Sequence, residues 1–255
     1  MRIMLLYFSG TGNTRRIGEL LDSEFIAQSH ESQIVPIEQI TLGLRKPDWE
    51  SCDLIGLGFP VHAMDAPQII YDLLAQLPRA RQEYFLFKTA GSAFLRGGST
   101  LRIREILANL GWRLRHEQLY VMPSNVFGPS GPDKVSRRYN HCRELAIQSA
   151  LEIISGMKRR VPEASFRAAC YSFAALEKRG AEQSSKHWTV NADCTLCGLC
   201  AAQCPTANIS IEAGKLVFSN QCLLCLRCWW NCPTRALSHR ILGPFFLKKP
   251  YKLPQ

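Results

Sequence analysis

The sequence predicts a doubly wound parallel α/β sheet over residues 1–157, followed by a small cysteine-rich unit over residues 188–240. Three observations carry this. Apolar runs alternate with segments of helical periodicity through the first part, the pattern of parallel strands joined by crossover helices. Eight of the eleven cysteines crowd between positions 194 and 232. Residues 158–187, which separate the two parts, are basic and weakly patterned and read as a connector.

Residues 3–8 (Ile-Met-Leu-Leu-Tyr-Phe) form an unbroken apolar run, as expected of a central strand covered on both faces. Residues 53–59 and 83–89 read the same way, residues 32–37 give a weaker strand and residues 118–122 a fifth. Helices are predicted at 13–28, 67–77, 99–110 and 132–157; Ile103, Ile106, Leu107 and Leu110 show the required spacing. In a doubly wound sheet ligands bind at the carboxyl ends of the strands. The loops after Phe8, Phe59 and Thr89 are therefore the candidate ligand loops. Part of the connector reads as helix, around residues 166–176, and residues 241–255 form a basic, aromatic tail.

Composition narrows the class. The apolar fraction of 46% suits a globular chain long enough to bury a core, so the cysteines are not needed as disulfide staples. The apolar start is too short for a secretion signal, and no segment reaches the ~18 uncharged apolar residues of a membrane span. A cytoplasmic protein with reduced thiols is expected. The net charge of +10 favours an acidic docking surface on a partner protein, or an anionic membrane surface. Its basic runs match no nucleic-acid recognition motif.

The cysteines form a repeat. Cys194-Thr-Leu-Cys197-Gly-Leu-Cys200-Ala-Ala-Gln-Cys204-Pro205 and Cys222-Leu-Leu-Cys225-Leu-Arg-Cys228-Trp-Trp-Asn-Cys232-Pro233 each read C-x2-C-x2-C-x3-C-P. Three closely spaced thiolates wrap three corners of an iron–sulfur cubane, and the fourth cysteine ligates the cluster of the other half. By that rule Cys194, Cys197, Cys200 and Cys232 hold one 4Fe–4S cluster, and Cys222, Cys225, Cys228 and Cys204 hold the other. Zinc also takes four thiolates, but seldom at this doubled spacing. The segment resembles bacterial-type two-cluster ferredoxins, a small α+β fold. Residues 209–218 would form the hairpin joining the halves, with its turn at Ala213-Gly214. Trp229 and Trp230 are expected to pack beside the clusters. Cys52, Cys142 and Cys170 have no partner at metal-site spacing and read as buried thiols.

The first loop, Ser9-Gly-Thr-Gly-Asn-Thr14, joins a strand to a helix. Glycines let backbone N–H groups turn inward and the helix N-terminus adds positive potential, which together cradle phosphate. There is no Walker lysine and no G-x4-G-K spacing, so a single terminal phosphate fits better than a nucleoside triphosphate. At this point the N-terminal part resembles flavodoxins, and the whole chain is similar to flavodoxin–ferredoxin fusion proteins. That resemblance implies a flavodoxin-like doubly wound five-stranded sheet that binds FMN. Ser9, Thr11, Gly12, Asn13 and Thr14 would take the phosphate; Pro60, Val61, His62, Thr89, Ala90 and Gly91 would line the flavin. The chain departs from ordinary flavodoxins in lacking an evident Trp–Tyr pair and in being basic. His62 reads either as a flavin partner or as a loop histidine tethered by the backbone, the second being preferred.

The implied function is electron transfer between FMN and two 4Fe–4S clusters, to or from a partner redox enzyme. Two alternatives stand beside it: a flavin-dependent reductase of a small substrate, and a flavin-free module that docks a ferredoxin. No dinucleotide fingerprint is present. Of the tail, packing against the N-terminal domain is expected ahead of membrane contact, because Pro244, Pro250 and Pro254 preclude a continuous amphipathic helix.

Overall fold

The computed structural model describes the chain except for residues 94–99, 126–130, 163–166, 244–250, 252 and 255. In chain order the N-terminal part runs β1 (Arg2–Tyr7), α1 (Asn13–Ala27), β2 (Glu31–Pro36), α2 (Glu38–Thr41), β3 (Leu54–Pro60), α3 (Gln68–Leu74), β4 (Glu83–Ala90), α4 (Leu101–Asn109), β5 (Arg113–Val121) and α5 (Pro132–Ile154). The strands form one parallel sheet in the order β2-β1-β3-β4-β5, the flavodoxin-like doubly wound order.

Side chains alternate across the strands and divide the core in two. Met4, Leu6 and Phe8 face the side covered by α3 and α4, through Ile69, Ile70, Leu73, Ile103 and Leu107. Ile3, Leu5 and Tyr7 face α1 and α5, against Ile17, Leu21, Phe25, Tyr139, Cys142 and Ile153. On β3, Gly58 makes room for β4: a Cβ there would stand 2.1 Å from the Phe87 ring. Cys52, Cys142 and Cys170 are buried, and burial pushes the Cys142 thiol up to about 11.

Residues 158–187 hold more structure than a connector. They contain α6 (Arg167–Gln183) and a 3-10 turn over Ser184–His187. The cysteine-rich part then adds β6 (Trp188–Val190), α7 (Leu199–Ala202), β7 (Ile209–Glu212), β8 (Lys215–Phe218), α8 (Arg227–Asn231) and β9 (Leu237–His239). The β7–β8 hairpin turns at Ala213 (φ 46°) and Gly214 (φ 73°), the paired left-handed conformation of a type I′ turn. β6 pairs antiparallel with β9, which closes the unit around Trp188, Leu226 and Leu237.

The tail returns to the N-terminal part through Leu253, which packs on the α1/α5 side of the sheet, and through Tyr251. The expectations for Phe245, Phe246, Leu247, Lys248, Lys249 and Lys252 lie outside the described residues, as do those for residues 94–98 of the third loop. Among the described residues no helix is long and apolar enough to cross a membrane.

Candidate functional site

The three candidate loops meet at the carboxyl edge of the sheet. Phe8 N–H donates to the Gly58 carbonyl at 2.9 Å, and Val61 N–H donates to the Thr89 carbonyl at 2.8 Å. After Phe8 the chain makes a tight loop in which Gly12 N–H donates to Ser9 Oγ (3.1 Å). Gly12 has φ 104° and starts α1, and no side chain caps that helix. The first-turn N–H groups of a helix have no partner within it, so those of Asn13, Thr14 and Arg15 have none in α1. A Cβ on Gly12 would meet nothing within 4 Å.

The loop side chains brace their neighbours. Asn13 Nδ2 donates to the Pro123 carbonyl (2.9 Å) and to Asn125 Oδ1 (3.2 Å). Thr14 and Thr89 share a buried hydroxyl–hydroxyl hydrogen bond of 2.8 Å, and Asn125 Nδ2 donates to Thr11 Oγ1. The Tyr251 hydroxyl lies 3.0 Å from Asn13 Oδ1 and 2.8 Å from the Pro123 carbonyl, and burial raises its pKa. This donor set fits a phosphate: uncapped amides face it, and the hydroxyl and amide side chains hold the loop in shape.

The second loop carries left-handed backbone and is tied to α6. His62 and Asp65 exchange backbone hydrogen bonds of 2.8 Å, which leaves Ala63 (φ 43°) and Met64 (φ 69°) left-handed. Lys178 of α6 pairs with Asp65 Oδ2 at 2.7 Å and lies 4.2 Å from the centre of the Tyr71 ring. Tyr71 donates to Asp65 Oδ1 at 2.6 Å, and Cys170 Sγ stands 3.5 Å from Met64 Sδ. In the third loop Ala90 is buried, Gly91 lies against Ser124, and Arg138 donates to the Gly91 carbonyl at 3.1 Å.

Burial, and secondarily the Lys178 charge, push the His62 imidazole down to about 4. Its folded pKa lies below the ordinary 6.5, so the unfolded chain binds the extra proton between those values. The stability this residue contributes is then complete above about pH 6.5 and is lost as pH falls toward 4. At pH 4.5 the native chain is expected to have lost ~2–3 kcal/mol on this account. His62→Gln should flatten that part of the pH profile in urea unfolding; an unchanged slope between pH 4.5 and 7 would refute the assignment.

The cysteines surround two recesses. One is lined by Cys194, Cys197, Cys200 and Cys232. The other is lined by Cys204, Cys222, Cys225 and Cys228. Each therefore takes three thiols from one half of the repeat and one from the other. The backbone repeats as well: Leu196 and Leu224, Gly198 and Leu226, and Ala207 and Arg235 are all left-handed. Backbone amides turn toward sulfur, from Asn208 to Cys204 (3.2 Å), Ala236 to Cys232 (3.3 Å) and Leu224 to Cys222 (3.4 Å). Such N–H···S contacts stabilise cluster thiolates. Burial pushes the Cys225 thiol up to about 12 and raises Cys228 too; iron is the charge that would hold both deprotonated. Among the described residues no group of three His, Cys, Asp or Glu gathers tightly enough for a single metal ion. The donor chemistry and the crossed arrangement fit two 4Fe–4S clusters.

The second recess abuts the first ligand loop. Arg227 Nη2 and Nε donate to the Ser9 carbonyl at 2.7 and 3.2 Å, and Nη1 reaches Glu38 Oε1 (2.6 Å) and the Gln203 carbonyl (2.9 Å). A Cβ on Gly10 would stand 2.1 Å from the Cys225 carbonyl oxygen. Sequence reasoning missed Arg227, Glu38, Asn125, Lys178 and Tyr251. Only Arg227 left a signal, since the equivalent residue of the first half is Leu199.

No protein-family model and no curated protein sequence matches the chain. Among solved structures, a flavodoxin from the domain Archaea is similar over 60% of this chain and 99% of its own, at 15% identity and a TM-score of 0.40. A Streptococcus pneumonia TIGR4 flavodoxin aligns over 61% of this chain and 99% of its own, at 14% identity and a TM-score of 0.45. A two-electron reduced Megasphaera elsdenii flavodoxin covers 58% and 98%, at 19% identity and 0.39. These likenesses concern fold, over the N-terminal part of the chain.

Proposed function

We propose that the chain is an electron-transfer protein that relays electrons between FMN and two 4Fe–4S clusters, to or from a partner redox enzyme. The observation that carries this reading is the pair of recesses, each lined by four cysteines drawn from both halves of the repeat and one of them set against the N-terminal ligand loop. Bound FMN would supply two-electron chemistry and the clusters one-electron chemistry.

The chain's own residues hold these groups and keep water away. Backbone amides in the first turn of α1, those of Asn13 and Thr14 among them, would bind the FMN phosphate. Pro60, Val61, His62, Ala90 and Gly91 stand at the adjacent strand ends, where the flavin ring would lie. Thr89 turns its hydroxyl to Thr14 and so braces the loop. The Lys178–Asp65 ion pair ties α6 across the His62 loop, an arrangement that suits a carrier better than an enzyme with an open substrate pocket. The surplus of positive charge favours an acidic docking surface on the partner.

The test is an anaerobic spectrum with iron, sulfide and flavin quantitation on reconstituted full-length protein. About eight iron and eight sulfide per chain are expected, with one FMN. Riboflavin, which has no phosphate to engage the loop, should bind more weakly, and Thr11→Val/Thr14→Val should cost roughly 1–3 kcal/mol of FMN binding per unsatisfied group. Equal affinity for FMN and riboflavin would remove the phosphate-loop assignment, and a chain without iron would remove the relay.

A further inference from the structure

The two halves of the cysteine repeat share a backbone but not a surface. With an offset of 28 residues, Leu199 of the first half corresponds to Arg227 of the second, and Ala201 and Ala202 correspond to Trp229 and Trp230. The substitutions have structural consequences on one side only. Arg227 ties the second half to the Ser9 carbonyl and to Glu38, and these two ionic side chains are only 13% and 16% exposed. Leu223 and Cys225 pack on the α3/α4 side of the sheet core. Trp230 meets the Tyr251 ring edge-on at 5.2 Å, and Tyr251 in turn contacts Asn13 of the ligand loop. In the first half Thr195, Leu196 and Cys197 are exposed, and beside them Ile211, also exposed, lies 3.9 Å from where a Cβ on Gly198 would be.

From this asymmetry, and resting on the reading of two iron–sulfur sites, we infer that the sites have different jobs. The site of Cys204, Cys222, Cys225 and Cys228 is the inner one, coupled to the N-terminal ligand loop, and Arg227 is its positioning residue. The site of Cys194, Cys197, Cys200 and Cys232 is the outer one, open to solvent through Thr195, Leu196 and Cys197. Arg227 suits its role because one planar guanidinium can bridge two carbonyls and a carboxylate. It thereby fixes the carbonyl side of the loop whose amides face the ligand. Gly10 allows the approach, because any side chain there would collide with the Cys225 carbonyl.

The experiment uses the full chain, reconstituted anaerobically with iron, sulfide and FMN, and exposed to a water-soluble ferrous chelator. Iron should leave in two phases of about four atoms each, and the fast phase should be missing from Cys197→Ser. Arg227→Leu should raise the FMN dissociation constant about tenfold, the scale of one lost charge-assisted hydrogen bond, and should quicken the slow phase. Single-phase release, or a fast phase that survives in Cys197→Ser, would overturn the inner and outer assignment while leaving the relay intact. Unchanged FMN affinity in Arg227→Leu at full iron content would overturn the coupling role. A native chain that takes up no iron at all would overturn the underlying reading as well.

Discussion

Cys204→Ser is expected to empty the recess completed by Cys222, Cys225 and Cys228, and to spare the one nearest to it in sequence. Iron should fall from about eight to about four atoms per chain. Cys204 follows Cys200 directly in the first motif, so sequence proximity alone would assign both to one cluster. The fold separates them: Cys200 lines one recess and Cys204 the other. A serine oxygen is a harder ligand than thiolate and suits an iron–sulfur site less well. Iron and sulfide quantitation, with spectra of the reduced protein, reads the outcome. Loss of the Cys194–Cys197–Cys200 cluster instead would break the crossed arrangement.

Glu117→Leu should destabilise the N-terminal domain by about 3–5 kcal/mol, the cost of breaking a buried ion pair by removing one partner. Glu117 is fully buried on β5. Its carboxylate pairs with Lys88 (2.8 Å) and Arg104 (2.7 Å), and Thr100 donates to it at 2.8 Å. Burial opposes its ionisation, yet Lys88, Thr100 and Arg104 outweigh burial and hold its pKa below the ordinary value. The stability it contributes is therefore present above the unfolded carboxylate pKa and lost as pH falls through the folded one. Urea unfolding of native and variant chains at neutral pH measures the difference. A loss below 1 kcal/mol would mean that Lys88 and Arg104 find other partners.

Much of the fold is legible in the sequence, for physical reasons. Strands buried on both faces must be apolar throughout, so residues 3–8, 53–59 and 83–89 announced themselves. The edge strand β2 reads weakly because only Val35 of Glu31–Pro36 is buried. β5 begins at Arg113, five residues before the apolar stretch that marks it, because its first half carries charged and ionisable side chains such as His116 and Glu117. The cysteines are the clearest signal, since the same residue type and spacing recur at an offset of 28 residues.

What escaped depends on contacts across the chain. α2 is one turn long, too short for a period. α6 packs through Cys170, Ala174, Lys178 and Ala181, small or charged residues that show little apolar contrast, while Phe173 and Leu176 of the same helix are exposed. Tyr251 sits in a proline-rich tail, where no local pattern says that its hydroxyl will reach Asn13. Asn125 and Pro123 gain meaning only when the end of β5 is placed beside the start of α1.

The crossed cysteines also set an order of events during synthesis. Every strand of the five-stranded sheet has been made once Val121 is in the chain, so the sheet can pair while the rest is still being translated. Neither recess can close that early. One lacks its fourth wall until Cys232 has emerged, and the other needs Cys228, so both become loadable almost together. The clasp between Ser9 and Arg227 joins residues 218 positions apart, and contacts of such separation form late. Cluster loading of the kind proposed would thereby follow the making of the sheet that carries the first loop.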